Sequence, residues 1–350
     1  MTEKFLIAHD FHDTRFFRPG EDMPYAFTSA LLRDELFKRV PDLDVVWAQT
    51  EDEMVRHIVD ADYLAVGDEV KRAVVERGEK LCWVHLSSSG ADHCFKVSDV
   101  DPDYFRGRGI MVTISPGAVS VVLAEQVLCF MGMFSRNMLR ALRQQRERHW
   151  ERYHGGELYG MTMGIIGLGA IGSATAKLCK CYGMRVIGTE PDPSEASRVA
   201  DEVWPPERYR QVLSEADFVL LACPITEETR KLINAETLRL MKPTAYLLNA
   251  ARGECVDEAA LVEALKAGII AGYGSDNHGD ARGDLGGDTL EVLAPDSELW
   301  DMENVIITPN CAEAGPRRYI YMADIIANNY RDLTADKDMR NRLVWDGKPV

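Results

Sequence analysis

The chain has 350 residues, 46% of them apolar, with 40 Lys and Arg against 56 Asp and Glu for a net charge of −16. That length buries a large core and usually divides into two domains, and the acidity argues against nucleic acid or an anionic membrane as the main partner, though a local arginine can still hold a small anionic substrate. No apolar run approaches the roughly 18 residues that span a bilayer, and the apolar part of the N-terminus is too short for a signal peptide. The eight cysteines are scattered, and the one close pair, Cys179 and Cys181, suits neither a zinc knuckle nor a redox CxxC motif. These features predict a cytoplasmic protein with reduced thiols.

Taken in chain order, short apolar stretches at 5–8, 45–48, 63–66, 81–86 and 111–114 alternate with helical segments, the pattern of a parallel α/β domain. A single long helix is expected from about 120 to 150. Leu123, Val127, Phe130, Met131, Phe134, Met138 and Leu142 give it a broad apolar stripe. Its charged end, 140–152, reads either as an arm leaving the subunit or as a solvated helix end.

A strand at 163–166 then runs into Gly167-Leu168-Gly169-Ala170-Ile171-Gly172, followed by helical spacing of Ala174, Leu178 and Cys181 and a second strand at 185–188. Glu190 lies 18 positions beyond the last glycine. This strand, turn, helix, strand and acid order is what a dinucleotide site requires. The glycines permit a tight turn and close backbone approach, the helix N-terminus faces the pyrophosphate, and the acid accepts the ribose hydroxyls. Glu190 repels a 2′-phosphate and Asp192 adds no cation, so the expected cofactor is NAD.

Further strands follow at 217–222, 245–249, 270–274 and 305–308, and a helix begins at about 317. In an open parallel sheet, ligands gather at the carboxyl ends of the strands. Those ends are Glu190, Pro224, Arg252, Asp276 and Asn310. Arg252, in a tight Ala-Ala-Arg-Gly turn, has the chemistry to clamp a carboxylate and polarise a neighbouring carbonyl, or to pair with a nearby acid. Asp276 suits either a nicotinamide edge or a turn. His85, on a buried strand, reads as a core histidine more than a substrate contact, and His93 flanks the same loop.

Several segments together resemble the D-isomer-specific 2-hydroxyacid dehydrogenase family, which includes phosphoglycerate, D-lactate and formate dehydrogenases. They are Leu158 to Gly169, Pro224-Ile225-Thr226-Glu227-Glu228-Thr229, Asn249-Ala250-Ala251-Arg252-Gly253 with Val256-Asp257-Glu258, and Asn304 to Pro309. In the first half, Ser89-Gly90-Ala91-Asp92 resembles the family's substrate-carboxylate loop, and Pro116-Gly117-Ala118 its interdomain crossing. The resemblance implies an α/β fold of two Rossmann-like or flavodoxin-like parallel-sheet domains. The NAD domain, 116–314, is inserted in a substrate domain made of 1–115 and 315–350. It also implies cofactor contacts from Gly167, Gly169, Ala170, Ile171, Gly172, Glu190, Pro224, Thr229, Ala250, Ala251 and Asp276. Amides of Ser89, Gly90 and Ala91 would receive the acid group, Arg252, Glu291 and Asn310 would be the catalytic set, and the protein would be a homodimer.

One departure is plain. Where the family has Thr-Pro-His, this chain has Thr308-Pro309-Asn310. Asparagine donates and accepts hydrogen bonds but does not shuttle a proton near pH 7, and a positioned base supplies about 10²–10⁴ in rate. Three readings stay open. Another group acts as base, with His278, Glu291, Tyr319 and Tyr321 as candidates; or the substrate needs no proton removed there; or the chain is an NAD(H)-binding regulatory protein without dehydrogenase activity. Glu291 follows an insertion, Gly279 to Thr289, whose Asp280, Asp284 and Asp288 do not match a calcium loop and which reads as a solvated lid, so no metal is expected.

Overall fold

The computed structural model describes residues 3–8, 28–48, 50–67, 69–91, 94–95, 98–278, 293–315, 317–345 and 348–350. Glu291, His93, Asp92 and the 279–289 insertion lie outside the described residues. The chain divides into two compact units, Met1–Val119 with Ala314–Val350, and Ser120–Glu313.

The first unit carries five parallel strands, β1 (Lys4–Ile7), β2 (Asp44–Trp47), β3 (Tyr63–Val66), β4 (Trp83–Leu86) and β5 (Met111–Thr113), in the order β2-β1-β3-β4-β5. Alternation along each strand splits its side chains between two apolar layers. Leu6, Leu64, Val84 and Leu86 enter one layer; Phe5, Ile7, Tyr63 and Trp83 enter the other, under the Ser29–Arg39 and Arg318–Thr334 helices. Side-chain caps start two of its helices: Thr50 accepts from Glu53 N–H, and Asp101 from Tyr104 N–H.

The second unit has seven parallel strands. They are β6 (Thr162–Ile166), β7 (Arg185–Thr189), β8 (Glu202–Trp204), β9 (Phe218–Leu221), β10 (Tyr246–Asn249), β11 (Gly272–Ser275) and β12 (Val305–Ile307), in the order β12-β11-β10-β9-β6-β7-β8. The order reverses between β6 and β9, which makes the carboxyl end of β6 a topological switch point. Val219, Leu221 and Leu247 fill one layer, and Phe218, Leu220 and Leu248 the other. With both faces covered, these strands read as unbroken apolar runs, which is why they are legible in the sequence. No helix among the described residues is long and apolar enough to cross a membrane.

The single helix expected over 120–150 is two helices. Ser120–Ser135 packs its stripe on the sheet, with Phe134 stacked on Tyr246 at 4.6 Å. At Asn137 the backbone turns left-handed (φ 51°), a conformation asparagine tolerates, and a separate helix, Met138–Glu147, begins. None of the residues of that second helix is buried. Met138 and Leu142 continue the helical period but are exposed, and only the partly buried Leu139 still packs against the core, so breaking the helix here costs little. Two further elements, β8 and a hairpin of Val344–Trp345 with Lys348–Pro349, are too short to show a period.

Candidate active site

The glycine turn of the second unit is built by three different steric demands. Gly167 has φ 98°, and a Cβ on it would lie 2.8 Å from the backbone of Ala222 and Cys223. A Cβ on Gly172 would lie 2.1 Å from Gly167 O, so the Ala170–Cys181 helix reaches the turn only without one. Gly169 is the opposite case: nothing lies within 4 Å of where its Cβ would stand. That exposed glycine is the helix N-cap and offers no side-chain cap, so the first-turn N–H groups, with Ala170 and the half-buried Ile171, face an open surface.

Gly167 and Leu168 N–H both donate to Thr189 O at 3.1 Å, which ties the turn to the end of β7 beside Glu190. Burial holds the Glu190 carboxyl above the usual carboxylate range, while a hydrogen bond from Leu168 N–H works the other way and Asp192 adds to the rise. A carboxylate acceptor therefore sits against the glycine turn, the placement that ribose recognition requires.

At the end of β10 the turn is organised by Asn249. Its Oδ1 accepts from Ala251 N–H at 2.9 Å and its Nδ2 donates to Arg252 O at 3.0 Å. Ala250 and Ala251 are buried and Arg252 is half-buried, in extended backbone. At the end of β9, the Thr229 hydroxyl is turned inward, donating to Pro224 O at 2.7 Å and accepting from Thr226 N–H at 2.7 Å; it holds the 224–229 loop, and Pro224 is exposed.

Asp276, at the end of β11, is 2% exposed. Its carboxylate accepts from the Thr308 hydroxyl at 2.5 Å and from the N–H groups of Cys311 and Ala312 at 3.0 Å each. Its main-chain O accepts from Asn310 N–H at 3.0 Å. These four bonds shape the loop after β12 and hold half-buried Asn310 at φ 49°. His278 is buried, with Nε2 3.0 Å from Ser275 O and its ring edge-on to Tyr273; burial lowers its pKa, against the pull of Ser275 O and Asp276.

In the first unit, Ser89, Gly90 and Ala91 follow β4. No acceptor among the described residues takes the N–H of Ser89, Gly90 or Ala91. Three consecutive donors without partners are what an incoming anion needs. Tyr319 is buried in this unit's core, with the partly buried Tyr321 packed against the same cluster. His85 is fully buried, its two ring nitrogens on Thr113 and Ser115, which is the core role its strand suggested.

Sequence reasoning missed Asn249 and the partners of Asp276. Asn249 carried a signal, since asparagine readily bonds the main chain two residues on; the Asp276 partners carried none. No group of three or more His, Cys, Asp or Glu residues arranged for a metal occurs among the described residues.

Residues 128–312 match the family described as D-isomer specific 2-hydroxyacid dehydrogenase, NAD binding domain. The chain is 33% identical over 281 residues to a glyoxylate reductase of Pyrococcus furiosus, covering 77% of this chain and 78% of that protein. It is 34% identical over 281 residues to a D-3-phosphoglycerate dehydrogenase of Methanocaldococcus jannaschii, covering 79% of this chain but spanning only 50% of that relative's length. A D-lactate dehydrogenase structure from Treponema pallidum shares the fold at a TM-score of 0.75 and 22% identity, covering 98% of this chain and 100% of that one.

Proposed function

Because the chain belongs to the D-isomer specific 2-hydroxyacid dehydrogenase family, we propose that it is an NAD-dependent oxidoreductase moving hydride to or from a small anionic 2-hydroxy or 2-oxo acid, or a related phosphonate-type acid. The bound dinucleotide carries the hydride. The chain's own residues bind, orient and polarise.

The observation that carries this reading is Arg252 on a turn locked by both ends of the Asn249 amide, at the same sheet edge as the glycine turn. A guanidinium on a rigid turn binds the acid group and polarises the reacting oxygen at little cost in ordering. The amides of Ser89, Gly90 and Ala91, which meet no acceptor among the described residues, supply donors for the acid group. Asn310 orients the reacting oxygen through its amide; the proton moves by another route, and Glu291 tunes the site. His278 is a poor shuttle, since Nε2 is engaged by Ser275 O.

We also place the protein in the cytoplasm, in keeping with its eight free cysteines. A homodimer formed through the Met138–Glu147 helix, which buries none of its residues, completes the reading; light scattering on the eluted protein measures this.

The test is oxidation of NADH against a panel of 2-oxo acids including glyoxylate and pyruvate. Turnover is expected on at least one acid, and Arg252→Ala is expected to lower kcat/KM by about 10²–10³. Tight NADH binding with no turnover on any acid, and no gain from Asn310→His, would instead leave an NAD(H)-binding regulatory protein.

A further inference from the structure

Trp83 and His85 stand two residues apart on β4, so they share a face, and the register places His85 beside Thr113 on β5. Ser115 is two residues further on. All four are 0% exposed. Trp83 Nε1 donates to Thr113 Oγ1 at 2.8 Å, the same hydroxyl lies 2.8 Å from His85 Nδ1, and His85 Nε2 lies 2.7 Å from Ser115 Oγ. Burial pushes the imidazole pKa down to about 3, so the ring is neutral and one nitrogen donates while the other accepts.

A polar file of this kind is not what the core itself needs. The rest of the face is Phe5, Tyr63, Ala65 and their apolar neighbours, and replacing both partners of a buried hydrogen bond by apolar groups is often neutral for stability. What the file does is fix Ser115, and Ser115 meets the loop that follows β4. Ser115 N–H donates to Ser88 O at 2.8 Å, and Ser115 O accepts from Ser89 Oγ at 3.4 Å. Ser88 Oγ then closes the loop on Gly90 O at 2.6 Å. The residues so held are those whose N–H groups meet no acceptor among the described residues.

We propose that the buried Trp83–Thr113–His85–Ser115 file is a positioning element that sets the Ser88–Ala91 loop to receive a carboxylate or similar oxyanion, with His85 acting through Ser115. This rests on the reading that the amides of Ser89, Gly90 and Ala91 take the substrate's acid group. His85 is not a base for the reaction, because both ring nitrogens are already engaged. Its replacement therefore acts on capture of the acid, and not on proton transfer or on the dinucleotide.

The experiment compares His85→Leu, Ser115→Ala and His85→Gln with the parent full-length protein. Gln retains an amide donor and acceptor and serves as the conservative variant. With glyoxylate and saturating NADH, His85→Leu and Ser115→Ala are expected to raise KM for the acid about tenfold, the size of one lost hydrogen bond. The value of kcat, its pH profile and KM for NADH stay within about twofold, and His85→Gln recovers most of the loss. Independently of turnover, hydrogen exchange of the residue-115 amide, which donates to Ser88 O, quickens in His85→Leu and Ser115→Ala while the rest of the β1–β5 sheet keeps its protection.

Unchanged KM and unchanged exchange in both variants overturn the proposal, as does a new limb in the kcat pH profile. If His85→Leu fails to fold, Ser115→Ala and His85→Gln decide the matter. If the parent turns over no 2-oxo acid, the functional reading fails, and the exchange measurement still decides whether the file holds the loop.

Discussion

Two loops at the carboxyl edge of the same seven-stranded sheet are shaped by opposite means. The turn after β6 owes its form to missing atoms: Gly167 and Gly172 have no room for a Cβ, and Gly169 leaves open space. The loop after β12 owes its form to an added group, the buried Asp276 carboxylate that gathers Thr308, Cys311 and Ala312. A methyl group is enough to ruin the first, and removal of one charge to ruin the second. The difference matters for function. A turn made only of backbone donors suits a pyrophosphate, which is the same in every dinucleotide, whereas a loop held by a carboxylate can present one particular side chain, here Asn310.

The largest effect that tests this contrast is at Gly172. Gly172→Ala places a methyl against the backbone of Gly167, which no rotamer change relieves, and is expected to destabilise the second unit by about 3 kcal/mol, read as a drop in thermal midpoint. Asp276→Asn comes next. It leaves the N–H groups of Cys311 and Ala312 competing for a single amide oxygen and is expected to cost about 2 kcal/mol in urea unfolding. Should stability hold and only NADH affinity fall, the carboxylate serves the cofactor and not the loop.

Gly169→Ala is the sharper variant because it separates binding from folding. With open space around it, the added methyl leaves the thermal midpoint alone but fills the space proposed for the pyrophosphate, and NADH affinity measured by fluorescence is expected to fall by about tenfold. Retained affinity would break the phosphate assignment of the turn. The smallest effect is at Asn310. Asn310→Gly relieves the left-handed backbone and is expected to stabilise by about 0.5 kcal/mol while lowering kcat/KM for the best 2-oxo acid; unchanged turnover would remove Asn310 from the site.

Much of this molecule was legible beforehand, for reasons that differ by residue. The strands β9 and β10 are buried on both faces and show as apolar runs, and the strand ends led directly to Glu190, Pro224, Arg252, Asp276 and Asn310. The break at Asn137 was not legible, because Met138 and Leu142 keep the helical period after the helix has left the core. Thr229 looked like a cofactor contact by resemblance, and its hydroxyl is engaged by Pro224 O and Thr226 N–H within its own loop. The role of Asn249 was available in principle, since its partners are two and three residues away.

By itself the sequence determined what depends on neighbouring residues: the glycine spacing, and the strand and helix order. Backbone stereochemistry and side-chain period are local, so they survive in one dimension. What Asp276 holds, and what His85 leans on, only the tertiary structure decided. Asp276 meets its partners 32, 35 and 36 residues away through the pairing of β11 with β12. His85 meets Thr113 and Ser115 28 and 30 residues away through the pairing of β4 with β5. A hydrogen bond is specific to a few tenths of an ångström, and that precision exists only once the register of the strands has been set.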